Sequence, residues 1–128
     1  LINLSLNRNQ KAINGSNILI IGVAYKKDIN DYRESPALDI IQLLKEAGAN
    51  VSFYDPYVSK VDFGGLMMKS IKNLTKSKIK KFDISVIVTD HSNINYKLIE
   101  STSKLIVDTR NVFKDSSNVL INRLGQGW

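Results

Sequence analysis

Between Val23 and Pro36 the chain reads Ala-Tyr-Lys-Lys-Asp-Ile-Asn-Asp-Tyr-Arg-Glu-Ser, far more charge than a plain connector needs. Lys26, Lys27 and Arg33 lie in this segment, and Arg110 follows a later apolar run. Such cations hold anions, and phosphate is the commonest. Ser35 then Pro36 marks a helix start, whose free backbone N–H groups would add donors for the same anion. No GxxxxGK[ST] phosphate loop occurs, and Gly22 stands without the second and third glycines of a dinucleotide fingerprint. A phosphate here would therefore be held by side chains rather than cradled on glycine backbone. A plainer reading stays open, with Lys26 and Lys27 as solvated loop charges and Arg33 paired with Asp28, Asp31 or Glu34.

His91 is the single histidine and follows an apolar run, but no nucleophile or orienting carboxylate is identifiable for it, so a turn or capping role is expected. Asp55 and Asp108 each close an apolar run and are expected to cap turns, since no carboxylates cluster with metal-ligand spacing. The chain has no cysteine, which excludes disulfides, thiolate metal sites and cysteine nucleophiles within it. No catalytic residue and no metal site is expected, and a reducing cytoplasm is the expected location.

The elements that must position these residues follow from apolar patterning. Ile18–Ile21 with Gly22 and Val23 is an unbroken apolar run, as in a strand covered on both faces. Ala37, Ile40, Ile41, Leu44 and Ala47 form one helical stripe opposite Asp39, Gln42 and Glu46, and Gly48 supplies the stop. Val51–Tyr54, Ile84–Thr89 and Leu105–Asp108 read as further strands, Asn73–Lys81 and Ile94–Glu100 as short helices. Ser59–Gly65 reads as a loop, Leu66–Ile71 as holding a short edge strand, and Val119–Ile121 as a last one. Strands alternating with helices predict an α/β, doubly wound, Rossmann-like parallel sheet with helices on both faces. Ligands of such sheets gather beyond the carboxyl ends of the strands, so Tyr25–Ser35, Asp90–Asn93 and Thr109–Asn111 should share one rim.

At 128 residues the chain is one domain with a real core. No apolar run is long enough to span a membrane. The net charge of +6 raises a nucleic-acid reading. Its excess lies in Lys69, Lys72, Lys76, Lys78, Lys80 and Lys81, without interleaved aromatics for base stacking, which reads better as a solvated face. A stand-alone α/β regulatory module is the other alternative, weakened because the first strand ends in Gly22-Val23-Ala24 and not in an acidic pair. The chain starts at Leu1, and residues 1–16 are expected to be the tail of an upstream helix ahead of a domain over 17–128.

Four ordered blocks, ILIIGVAYKKDINDYRESPALDIIQLL, VSFYDPYV, VIVTDHSNINY and LIVDTRN, resemble the C-terminal domain of the nucleotide-sugar 6-dehydrogenases, the UDP-glucose and GDP-mannose dehydrogenase family. The TDHS and DTRN wording is most similar to the branch acting on UDP-N-acetylhexosamines. The resemblance implies a three-part parent: an N-terminal domain binding NAD, a central helix forming a homodimer, and this domain binding the UDP part of the sugar substrate. That parent oxidises a sugar C6 alcohol to the carboxylate for surface polysaccharide synthesis, with its nucleophilic cysteine, catalytic lysine and NAD glycine fingerprint outside this chain. The resemblance implies that Tyr25, Lys26 and Arg110 face the nucleotide sugar and that Arg33 reaches toward the NAD pyrophosphate. It assigns no role to Lys27 or His91, and the isolated domain is expected to be inactive.

Overall fold

A computed structural model describes residues 12–123 together with Ile2 and Leu6. The expected helical tail over residues 1–16 lies largely outside the described residues.

The first strand, β1 (Asn17–Ile21), is central because its apolar run serves two cores. Ile18 and Ile20 point into one core with Ile41 and Leu44 of α1 (Pro36–Glu46). Leu19 and Ile21 point into the other, with Ile79 of α2 (Lys76–Ile79) and Ile99 of α3 (Tyr96–Thr102). Alternate side chains of a strand leave on opposite faces, so only a sequence apolar at every position can fill both. β2 (Asn50–Tyr54), β5 (Ile84–Ile87), β6 (Ile106–Asp108) and β7 (Ile121–Arg123) complete a parallel sheet of order β2-β1-β5-β6-β7. The chain leaves β1 for β2 on one side and returns to β5 on the other. Strand order therefore reverses between β1 and β5, the place where the loops leaving a doubly wound sheet diverge and open a crevice.

Ser35 accepts from the Ala37 backbone N–H at 3.1 Å, and Pro36 occupies the first helical position of α1. Gly48 ends that helix with φ +90°. Thr75 and Asn95 cap α2 and α3 in the same way, accepting from Lys78 and Leu98 N–H at 3.3 and 3.1 Å.

The segment expected to be a loop, Ser59–Gly65, is instead half of a hairpin. β3 (Lys60–Phe63) pairs antiparallel with β4 (Leu66–Lys69), outside the main sheet. Gly64 and Gly65 join them with φ +60° and +85°, the doubly left-handed turn that matches strand twist. Val61 and Leu66 plug the hairpin into the α1 side of the core. Its Asp62 N–H donates to the Tyr32 hydroxyl at 3.2 Å, tying it to the charged loop.

Gly22 leaves β1 with φ +84°, and a Cβ there would strike the Thr89 backbone oxygen and lie 2.6 Å from the Thr89 Cβ. Both the dihedral and the space thus demand glycine. Gly22→Ala should lower unfolding free energy in urea by about 2 kcal/mol or more. A variant within ~0.5 kcal/mol of the parent, the scatter of ordinary surface changes, would contradict this packing.

Candidate functional site

The Tyr25–Ser35 loop is closed on itself by the Tyr25 N–H donating to the Asp31 carbonyl at 2.6 Å. It is fixed to the body of the domain by one buried carboxylate. Asp55, just past β2, accepts at Oδ2 from the backbone N–H groups of Val23 (2.8 Å) and Ala24 (3.2 Å). Its Oδ1 accepts from Tyr57 N–H (2.8 Å) and Val58 N–H (3.2 Å), forming the turn that Asp55-Pro56 promised. His91 Nε2 lies 2.8 Å from the same Oδ2, with both side chains fully buried. The Asp28 backbone N–H donates to His91 Nδ1 at 2.8 Å, which fixes that nitrogen as acceptor and puts the ring proton on Nε2. With five N–H donors around it, the carboxylate needs no cation. Sequence reasoning gave Asp55 and His91 local turn duties; their meeting across 36 residues left no local signal.

Asp28 holds the other side of the loop. It adopts φ +62°, a conformation that aspartate tolerates better than most residues. Its carboxylate accepts from the Ser92 N–H and hydroxyl, both at 2.7 Å. Tyr96 donates its hydroxyl to the His91 carbonyl at 2.7 Å. Burial, more than the surrounding carboxylates, pushes the Tyr96 phenol up, so it stays a donor.

The predicted site cations are exposed on this frame. Lys26 sits with Nζ 5.7 Å from the centroid of the Tyr25 ring, which is 43% exposed, a cation–π pair that sets both side chains side by side. Arg110 donates from Nε to the Val88 carbonyl at 2.8 Å, at the exit of β5. The next residue, Thr89, donates its hydroxyl to the Ala24 carbonyl at 2.7 Å. Consecutive residues at the β5 exit thus carry Arg110 and the stem of the Tyr25–Lys26 loop, bringing the two to one rim at the strand-order reversal. Asp108 supports Arg110 from below, accepting from Arg110, Val112 and Phe113 N–H at 3.1, 3.1 and 2.8 Å.

Arg33 stands apart, at the start of α1. It forms a two-pronged pair with Asp31, Nε to Oδ1 at 3.2 Å and Nη2 to Oδ2 at 3.1 Å, which resolves the open alternatives in favour of Asp31. The guanidinium hydrogen bond holds the Asp31 carboxyl below its usual range. The pair is 71% and 48% exposed, so it contributes little and yields readily to a better anion. One expectation is corrected. Ser35 itself takes the Ala37 and Leu38 N–H groups, through its side chain and carbonyl, and Pro36 has none. The start of α1 therefore offers no donors from residues 36–38, and an anion at this rim relies on side chains.

The β1 exit carries Gly22 without the second and third glycines that let a dinucleotide pyrophosphate lie on the backbone, so it does not fit that group. Among the described residues no group of three His, Asp or Glu could hold a metal ion, and no helix is long and apolar enough to cross a membrane.

Two outcomes follow from this frame. Asp55→Asn turns one acceptor into a donor facing N–H groups and should cost about 2–4 kcal/mol in urea unfolding. A cost under ~1 kcal/mol would contradict the hub. Ser92, through its N–H first and its hydroxyl second, holds the Asp28 carboxyl below its ordinary value. That contribution is complete above the unfolded-state pKa and is lost as pH falls through the lower folded-state value. Ser92→Ala should therefore move the Asp28 carboxyl 13C titration up toward the ordinary range, with a stability deficit that shrinks in acid. Identical titrations would contradict the contact.

Comparison with known proteins gives the same picture. Residues 19–115 match the UDP-glucose/GDP-mannose dehydrogenase family, UDP binding domain. The chain is 30% identical over 109 residues to UDP-glucose 6-dehydrogenase of Bacillus subtilis, covering 80% of this chain and 23% of that protein. It is 30% identical over 116 residues to UDP-N-acetyl-D-mannosamine dehydrogenase of Pyrococcus horikoshii, covering 86% of this chain and 25% of that protein. The solved structure of the Pyrococcus horikoshii UDP-D-ManNAc dehydrogenase superposes with a TM-score of 0.77 at 26% identity, over 99% of this chain and 29% of that one. An NDP-N-acetyl-D-galactosaminuronic acid dehydrogenase of Methanosarcina mazei superposes with a TM-score of 0.73 at 28% identity, over 96% of this chain and 27% of that one. The chain thus spans about a quarter of the length of the relatives it matches. With its fold and most of its length accounted for, the chain belongs to the UDP-glucose/GDP-mannose dehydrogenase family, as its UDP binding domain.

Proposed function

We propose that this domain binds the UDP portion of a nucleotide sugar for an NAD-dependent 6-dehydrogenase that oxidises the sugar C6 alcohol to a carboxylate. A UDP-N-acetylhexosamine is the proposed substrate, and surface polysaccharide synthesis in the cytoplasm the proposed setting. The observation that carries the reading is the attachment of Arg110 and the Tyr25–Lys26 loop to consecutive residues, Val88 and Thr89, at the β1/β5 reversal. On that rim Lys26 supplies a point charge to phosphate or sugar oxygens. Arg110, with N–H groups left after its Val88 bond, supplies a planar donor set. Tyr25 offers an aromatic face beside them.

Bound NAD would supply the hydride acceptor for oxidation at C6. The lone Gly22 at the β1 exit, without the other fingerprint glycines, favours an N-terminal domain upstream of residues 17–128 as its holder, with a central helix between the two making the homodimer. Arg33 is the contact from this side: releasing Asp31 frees its fork for the NAD pyrophosphate. No residue of this chain is assigned a catalytic step, and the domain alone is proposed to be inactive.

Magnitudes bound what the domain does by itself. Two or three charge-assisted hydrogen bonds at ~1.5–3 kcal/mol each, less the cost of association, fall short of the ~8 kcal/mol of micromolar binding. A 15N chemical-shift titration with UDP should give a millimolar-grade constant, with shifts at Tyr25, Lys26 and Arg110. Lys26→Ala and Arg110→Ala should each weaken it by about tenfold, the lower range for a lost charge-assisted bond. Submicromolar affinity would contradict the half-site. Shifts confined to Lys69–Lys81 with a short oligonucleotide, steeply salt-dependent, would favour nucleic acid instead.

A further inference from the structure

We propose that His91 is a positioning residue for the anion-binding loop, setting the place of Tyr25 and Lys26 through the hydrogen bond that its Nδ1 accepts from the Asp28 backbone. This rests on the nucleotide-sugar reading of the rim and adds to it the residue that holds the rim in register. One carboxylate oxygen anchors the loop at two points. Asp55 Oδ2 binds Val23 and Ala24 N–H directly, and binds Asp28 N–H through His91. Only Tyr25, Lys26 and Lys27 lie between the two anchors. A three-residue bridge tied at both ends to one rigid group has little freedom, which is what holding a charge in place for a ligand requires.

The imidazole suits this and nothing else. Deprotonated Asp55 can only accept, so it draws the proton to Nε2 and leaves the Nδ1 lone pair facing the Asp28 N–H. Both ring nitrogens are used, the ring is fully buried, and Tyr57 packs over it at 4.7 Å between centroids. His91 therefore has no free atom for a substrate and no exposed route to one. A general acid or base role is excluded by geometry. Without His91 the Asp28 N–H would lose the partner it has here, since Ser92 holds only the Asp28 side chain.

Two substitutions separate the halves of the ring. In His91→Asn the amide oxygen can take the place of Nδ1 and accept from Asp28, while the Asp55 contact is lost. In His91→Gln the amide nitrogen can take the place of Nε2 and donate to Asp55, while the Asp28 N–H is left unpaired. Two readouts are compared in the chain as it stands: amide hydrogen exchange of Asp28, and UDP affinity by chemical-shift titration. His91→Gln should speed Asp28 exchange and weaken UDP, each by about tenfold, and His91→Asn, which keeps the Asp28 bond and loses the tie to Asp55, should change both by clearly less than His91→Gln. Equal effects of the two variants, or parental UDP affinity in His91→Gln, would overturn the proposal. Lys26→Ala is the control for the reading beneath it. If that variant binds UDP like the parent, the nucleotide site is wrong, while the Asp28 exchange comparison still decides whether His91 sets the loop. Should His91→Gln not fold, the imidazole 15N shifts of the parent decide. A protonated Nε2 with an unprotonated Nδ1 supports the proposal, and the opposite tautomer overturns it.

Discussion

The buried carboxylate of Asp55 is the constraint on which the rest of the rim depends. A carboxylate removed from water is costly unless its lone pairs are occupied. Here the backbone of the β1 exit, the backbone of its own turn and the His91 ring occupy them. Three separate chain segments thereby meet at one group, and none can shift without leaving a charge partly unpaired. The sheet supplies the same kind of constraint by packing: Gly22 and Thr89 touch so closely that the β1 and β5 exits keep a single separation. A polar hub and a steric contact together turn two loops into a fixed mouth.

That rigidity bears on the binding proposed for this mouth. Lys26 and Arg110 are exposed and hydrated, so in the proposed binding their contribution would depend on being in place before the ligand arrives. Arg33 is arranged differently. Its exposed pair with Asp31 contributes little and exchanges at small cost. The domain thus carries two exposed cations at its mouth and one loosely paired arginine at the start of α1.

Much of this was legible in the sequence, where the physics was local. An unbroken apolar run marked β1 as a strand covered on both faces, further apolar runs marked β5 and β6, and Ser35-Pro36 with Gly48 bracketed α1. The β3–β4 hairpin was not anticipated, although its signal was present: Gly64-Gly65 sits between Val61 and Phe63 on one side and Leu66 and Met68 on the other. Alternation too short to register alone becomes a hairpin only when the glycine pair is read with it. The helix-start anion site failed because Ser35 accepts from the Ala37 and Leu38 N–H groups itself, a competition that spacing does not reveal. The Asp28–His91–Asp55 chain was beyond sequence reasoning altogether, since its members lie 63 and 36 residues apart and meet only once the sheet has formed. The ordered blocks pointed to the right family because they are the strand exits themselves, where the fold and the rim coincide.

The central claim is that Lys26 and Arg110 serve one bound diphosphate at the β1/β5 mouth. A crystal structure of this chain with UDP tests it most directly. The account predicts the diphosphate within hydrogen-bonding distance of both the Lys26 ammonium and the Arg110 guanidinium. A diphosphate held by only one of them, or lodged among the lysines of 69–81, would contradict it.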